Sequence, residues 1–259
     1  MGNLFKIGRI FYGIAMAGIG FQIIYYHDFP YWLLPPKHSW IPGLTMIAYI
    51  FGIMFVLTGA CIVFEKKART ISLLTGAVLL LVFCFYFIPY QFMASSRYMH
   101  LRQWENAEKE LAFCSGAFVI AGCYSEKNEK NFYRSLGKLI PLGPILFSIP
   151  IISFGILHFL LAKSVADYVP SWVPARLFWA YFCGAALIGS GLAILLKIKS
   201  MPAATLLGIM IFIWVIILHI PRVVVSPVGY MGSEVTSALI ALVYSGIAFV
   251  IAGTTKKII

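Results

Sequence analysis

The chemistry-bearing residues concentrate in one short string, His219-Ile220-Pro221-Arg222. His219 and Arg222 are three residues apart, so on a helix they share a face. A neutral imidazole beside a guanidinium can hold a carbonyl, a quinone oxygen or a lipid phosphate. Pro221 removes a backbone hydrogen bond and is expected to bend or end the helix there. His158 lies four residues from the end of another apolar segment, at matching depth. The alternative is an outer-rim pair satisfied by lipid and by a loop acid such as Glu234. The corresponding residues 132 positions earlier are Phe87, Pro89 and Tyr90. The proline is therefore common to both places, whereas the histidine and arginine are not. The candidate ligand-binding residues are His219, Arg222, His158, Tyr90 and Glu234.

Other chemistry is thinly represented. The five cysteines all fall in apolar segments without a C-x-x-C, so they read as small packing residues. His27, His38 and His100 read as interfacial. Haem ligation is disfavoured, because only His158 and His219 sit at matched depth. No metal set is expected, and the cofactor is left open, a quinone being compatible with the polar string. Walker, Rossmann, zincin and nucleophile-elbow motifs are missing, so a stand-alone enzyme is not expected.

The elements that must position these residues are membrane helices. The chain is 61% hydrophobic and only 11% charged, with mean hydropathy +0.91. Soluble domains hold about 25% charged residues. A bilayer-spanning helix needs about 20 mostly apolar residues. Eight segments qualify, near 8–27, 43–64, 70–89, 108–124, 141–162, 176–197, 203–221 and 235–255. The fourth has the shortest apolar run. Glu108 and Glu110 are expected at its outer rim, which leaves no acid inside a span. Lys6 and Arg9 precede the first apolar run without a cleavage site, so that helix reads as retained.

Eight spans put both termini on one side of the membrane. That side carries 13 of the 20 basic residues against three acids, and the positive-inside rule makes it cytoplasmic. The net charge of +11 follows from this bias, and no nucleic-acid partner is implied. The lipid bilayer is the expected partner. The external segment 90–109, with Arg97, His100, Arg102, Trp104, Glu105, Glu108 and Lys109, could cap a pocket or dock a membrane or periplasmic protein.

The two halves match each other. Trp40-Ile41-Pro42 recurs as Trp172-Val173-Pro174, and Gly52, Gly59, Gly76 and Ile88-Pro89 recur as Gly184, Gly191, Gly208 and Ile220-Pro221, all at an offset of 132. Ala117–Gly122 recurs as Ala248–Gly253 at 131. The chain therefore reads as a first four-helix repeat (1–124), a polar cytoplasmic linker (125–140) and a second repeat (141–259). An even number of spans per copy makes the copies parallel. Gly52 and Gly59 are two turns apart on one face, where small residues let helices pack closely in lipid.

The second copy carries Gly155-x-x-His158, Lys197-Ile198-Lys199, Leu218-His219-Ile220-Pro221-Arg222 and a glycine-rich last helix. On these residues it resembles the DoxX-type membrane proteins, a four-helix family, and the chain resembles two fused copies. The first copy departs from the pattern at Phe87 and Tyr90. The resemblance implies an integral protein of the bacterial inner membrane. Within that family some members are subunits of a quinone oxidoreductase, and distant relatives are assembly chaperones or cargo receptors. The expected function is a redox-accessory subunit, or a binder of a quinone-like or lipid-like molecule in the outer leaflet. A non-catalytic assembly or partner-binding protein is the alternative, and a small-molecule transporter is the third reading.

Overall fold

The computed structural model describes residues 2–30, 32–34, 42–94, 101–125 and 130–258. Helix α1 (Asn3–Tyr26) is followed by α2 (Leu44–Val63) and α3 (Ala68–Val82). A π-helical turn, Phe83–Phe87, leads from α3 into α4 (Ile88–Ala94). Next come α5 (Glu105–Gly122), α6 (Asn131–Gly137), α7 (Leu142–Leu160) and α8 (Ala162–Tyr168). They are followed by α9 (Arg176–Leu195) and α10 (Ser200–Trp214), a second π turn (Val215–His219), α11 (Ile220–Val225) and α12 (Ser233–Ile258). No strand occurs among the described residues.

Among the described residues, seven segments are long and apolar enough to cross a membrane. The eighth expected span corresponds to α5, which falls outside that set. Glu105, Glu108, Lys109 and Glu110 occupy its first two turns, and only Leu111–Gly122 is free of charge. That part covers about 18 Å at 1.5 Å per residue, less than the roughly 30 Å hydrocarbon core. Helix α5 is instead surrounded by protein, and almost every side chain from Ala107 to Ala121 is buried.

The last helix of each half packs against the first helix of the other. Helix α1 lies between α2 and α12, and α7 lies between α5 and α9. Helices α3 and α10 pack on α5 and α12, which also touch each other. Glycines set the closest crossings. A Cβ on Gly20 would sit 2.6 Å from the Gly52 carbonyl oxygen, and one on Gly155 would sit 2.8 Å from that of Gly184. Any side chain at these positions would push the helices apart, which matters most where packing drives association.

Local backbone conformations recur down the chain. Glu65 and Lys67 are left-handed, with φ of 57° and 50°, and Lys197 and Lys199 follow at 59° and 49°. Gly76 packs against Phe118 and Gly208 against Phe249. The Cys114 thiol donates to the Gly76 carbonyl (3.3 Å), and the Ser245 hydroxyl donates to that of Gly208 (2.9 Å). Pro221 does not end the helix, which runs on through Val225. The wider π turn before Pro221, and the one before Pro89, accommodates the missing donor while the helix continues.

At the end of the bundle where both termini lie, basic residues close off helix ends. Arg9 donates to the carbonyls of Ile62 (2.7 Å) and Val63 (2.8 Å), at the C-terminus of α2, and pairs with Glu65 at 3.0 Å. Arg69 does the same for the carbonyls of Ala121 (3.1 Å) and Tyr124 (2.9 Å) at the end of α5. Cations are favourable where a helix leaves its last carbonyls unsatisfied.

Candidate functional site

The opposite end of the bundle collects the end of α7, α8, the start of α9, the π turn after α10, and the starts of α5 and α12. Between them lies a cavity of about 540 Å³. Its wall is mostly apolar, including Leu157, Leu161, Val165, Leu187, Met210, Ile211 and Leu218. Aromatic rings from Phe154, Trp179 and Trp214 contribute further surface, the two tryptophans in edge-to-face contact at 6.3 Å.

His158 and His219, predicted from different segments, both line this cavity. His158 is fixed by its own helix, because Nδ1 donates to the Phe154 carbonyl at 2.7 Å. That bond puts the proton of a neutral ring on Nδ1 and leaves Nε2 as an acceptor. Gly184 makes room for it, since a Cβ there would come within 2.8 Å of the His158 Cβ. His219 closes the π turn, and its Nδ1 is buried without a hydrogen-bond partner.

Tyr244 is the lining residue that sequence reasoning missed. It is 4% exposed, packs on Phe147 and Phe154, and its hydroxyl is also buried without a partner. Its counterpart 131 residues earlier is Phe113. The comparison of halves that separates His219 from Phe87 therefore also marks Tyr244. Trp214 and Cys183 were missed as well, and they satisfy each other, Nε1 donating to Sγ at 3.1 Å.

The remaining candidates divide. Arg222 does not line the cavity but forms a two-pronged pair with Glu234, Nε to Oε2 at 2.8 Å and Nη2 to Oε1 at 2.6 Å. Its guanidinium lies 4.8 Å from the ring centroid of Tyr168, a lining residue. Arg222 and Glu234 thus brace one edge of the site. Tyr90 lies on α4 and is not part of the lining, so it drops out of the site. Its relation to Arg222 was one of position along the chain, and the cavity formed in the other half.

The segment 90–109 is represented by 90–94 and 101–109, and His100 and Arg97 lie outside the described residues. Gln91 donates to the Gln103 carbonyl at 2.6 Å, which ties α4 to the turn before α5. Arg102, Glu105 and Lys109 line the cavity, the last two joined at 2.7 Å. His38 also lies outside the described residues. His27 meets the Tyr49 hydroxyl at 2.6 Å, away from the cavity.

The carboxylates overturn two expectations. Glu108 and Glu110 are not at the rim, being 6% and 0% exposed, and Glu110 has no partner on either oxygen. An acid inside the bundle therefore exists. It escaped notice because the charged start of α5 was read as solvent-facing, whereas the neighbouring helices extend past it. Among the described residues no group of three potential ligands could hold a metal, and no two cysteines form a disulfide. Comparison with known protein families, with curated proteins and with solved structures finds no match for this chain.

Proposed function

We propose that this chain is an integral membrane protein of the DoxX-like kind, made of two fused four-helix copies. It binds an amphipathic molecule, quinone-like or lipid-like, in the cavity of its second copy. The carrying observation is a mostly apolar cavity of about 540 Å³ on which two buried polar atoms, His219 Nδ1 and the Tyr244 hydroxyl, lack partners. Buried polar groups in proteins are nearly always hydrogen-bonded, so each unpaired one calls for a partner. The volume falls within the 300–1,000 Å³ typical of small-ligand sites. The recurring backbone turns and glycine–phenylalanine contacts support the duplication. The basic bias of the end bearing both termini supports a cytoplasmic location for it, which puts the cavity toward the outer leaflet of a bacterial inner membrane. Helix α5 counts in this reading as an eighth span shielded by protein. The role is that of an accessory or binding subunit.

The test is mass spectrometry of an organic extract of protein purified in mild detergent. One amphipathic molecule per chain is expected in the wild type and less in His219→Ala and Tyr244→Phe. Equal amounts of bulk phospholipid and nothing else in all three would overturn the reading. A transporter gains one supporting observation, the buried Glu110, since ionisable groups inside membrane helices mark pathways.

A further inference from the structure

We infer that the cavity selects an uncharged polar head and rejects a phosphate. The inference rests on the cavity being a ligand site, as proposed above, and concerns which chemistry it accepts. Three formally neutral polar groups belong to lining residues: the Tyr244 hydroxyl and His219 Nδ1, both buried without a partner, and the Nε2 of His158 left free by the bond to Phe154. A hydroxyl or carbonyl head satisfies them, because it accepts from the phenol and a hydroxyl can also donate to an imidazole nitrogen.

Two of the cations around the cavity are already engaged. Lys109 is held by Glu105 at 2.7 Å. Both prongs of Arg222 that face Glu234 are used, at 2.6 and 2.8 Å, and the face of the guanidinium lies on Tyr168. Arg102, the other cation on the lining, is exposed to solvent. Away from the exposed Arg102, a phosphate would have to draw Arg222 from Glu234 or remain an uncompensated charge against apolar walls. The uncompensated charge is costly, whereas a neutral head needs neither arrangement.

The experiment compares two probes with one tail, tritiated farnesol and tritiated farnesyl phosphate, in equilibrium binding to the purified full-length protein in dodecyl maltoside. Tyr244→Phe keeps the ring and its contacts with Phe147 and Phe154, and it controls for partition into the micelle. Farnesol is expected to saturate at one per chain, with farnesyl phosphate at least about tenfold weaker. Tyr244→Phe should weaken farnesol by about fivefold, the worth of one hydrogen bond. Equal binding, or tighter binding of the phosphate, would overturn the neutral-head inference and leave the cavity as a ligand site. Saturable binding of neither probe would overturn the ligand site itself, and the inference with it.

Discussion

The interior of the first half and that of the second half start from matching helices and end in opposite states. In the first half, Trp32 enters from the connection between α1 and α2 and stacks on Phe113 at 4.4 Å. Phe113 stacks in turn on Phe55, Phe55 meets Phe51, and Phe51 meets Phe29. Trp32, Phe55, Phe87 and Phe113 are all essentially inaccessible. In the second half the counterparts of Phe51, Phe55, Phe87 and Phe113 are Cys183, Leu187, His219 and Tyr244. All four of these line the cavity. The connection there forms helix α8, which lies against α9 and lines the cavity through Ser164, Val165 and Tyr168. Among the described residues, aromatic rings thus occupy on one side the places that on the other line a cavity and carry polar tips. Smaller side chains and a connection that does not insert are enough to produce the difference.

The comparison can be broken most severely at Trp32. Trp32→Ala should destabilise the protein by about 3–5 kcal/mol, the range for a large core aromatic, read as a fall in the thermal midpoint in detergent. A second equivalent of farnesol bound per chain in this variant would show that Trp32 alone keeps the first half shut.

Paired glycine substitutions come next. Gly52→Ala and Gly184→Ala place a methyl against the facing helix, with contacts of 2.7 and 2.8 Å to side-chain atoms of Ile24 and His158. Each should cost about 1–3 kcal/mol by overpacking. Only Gly184→Ala should also weaken ligand binding, because only there is the displaced side chain on the cavity wall. Equal effects on binding would erase the distinction between the halves at this level.

Leu187→Phe installs the residue that the first half carries at the same place. Binding of farnesol should fall by about tenfold while stability changes by less than about 1.5 kcal/mol, because the added ring volume enters the cavity and does not overpack the core. Unaltered binding would place the ligand elsewhere. The smallest effect is expected from Glu234→Gln, on a half-exposed pair that contributes under about 1 kcal/mol to stability. Freed from its carboxylate, Arg222 should raise the affinity for farnesyl phosphate severalfold, and an unchanged preference for farnesol would separate Arg222 from head-group selection.

Much of this was legible in the sequence. Hydropathy alone specifies membrane helices, because a bilayer offers no water to an unpaired backbone. Glycines at fixed spacing announced close helix crossings, since only a missing side chain allows helices so close, and the structure shows these to be α1 with α2 and α7 with α9. His219 and His158 stood out as ionisable groups near the ends of apolar segments, and the structure brings both to one cavity. Glu234 was anticipated as a partner that could satisfy Arg222, and it does.

What the tertiary structure decided was which surfaces face protein. Burial of Glu108 and Glu110 depends on the length of helices distant in the chain, so their charge suggested a rim that does not exist. Tyr90 and Arg222 occupy matching positions, but Arg222 adjoins the cavity of the second half, while in the first half Trp32 stacks on Phe113 from a connection without helical periodicity. Tyr244 reads as one more apolar-segment aromatic until its hydroxyl is seen to have no partner. Period and composition are properties of single segments and can be read along the chain. A cavity is a property of what several segments jointly fail to fill, and that appears only when they are packed.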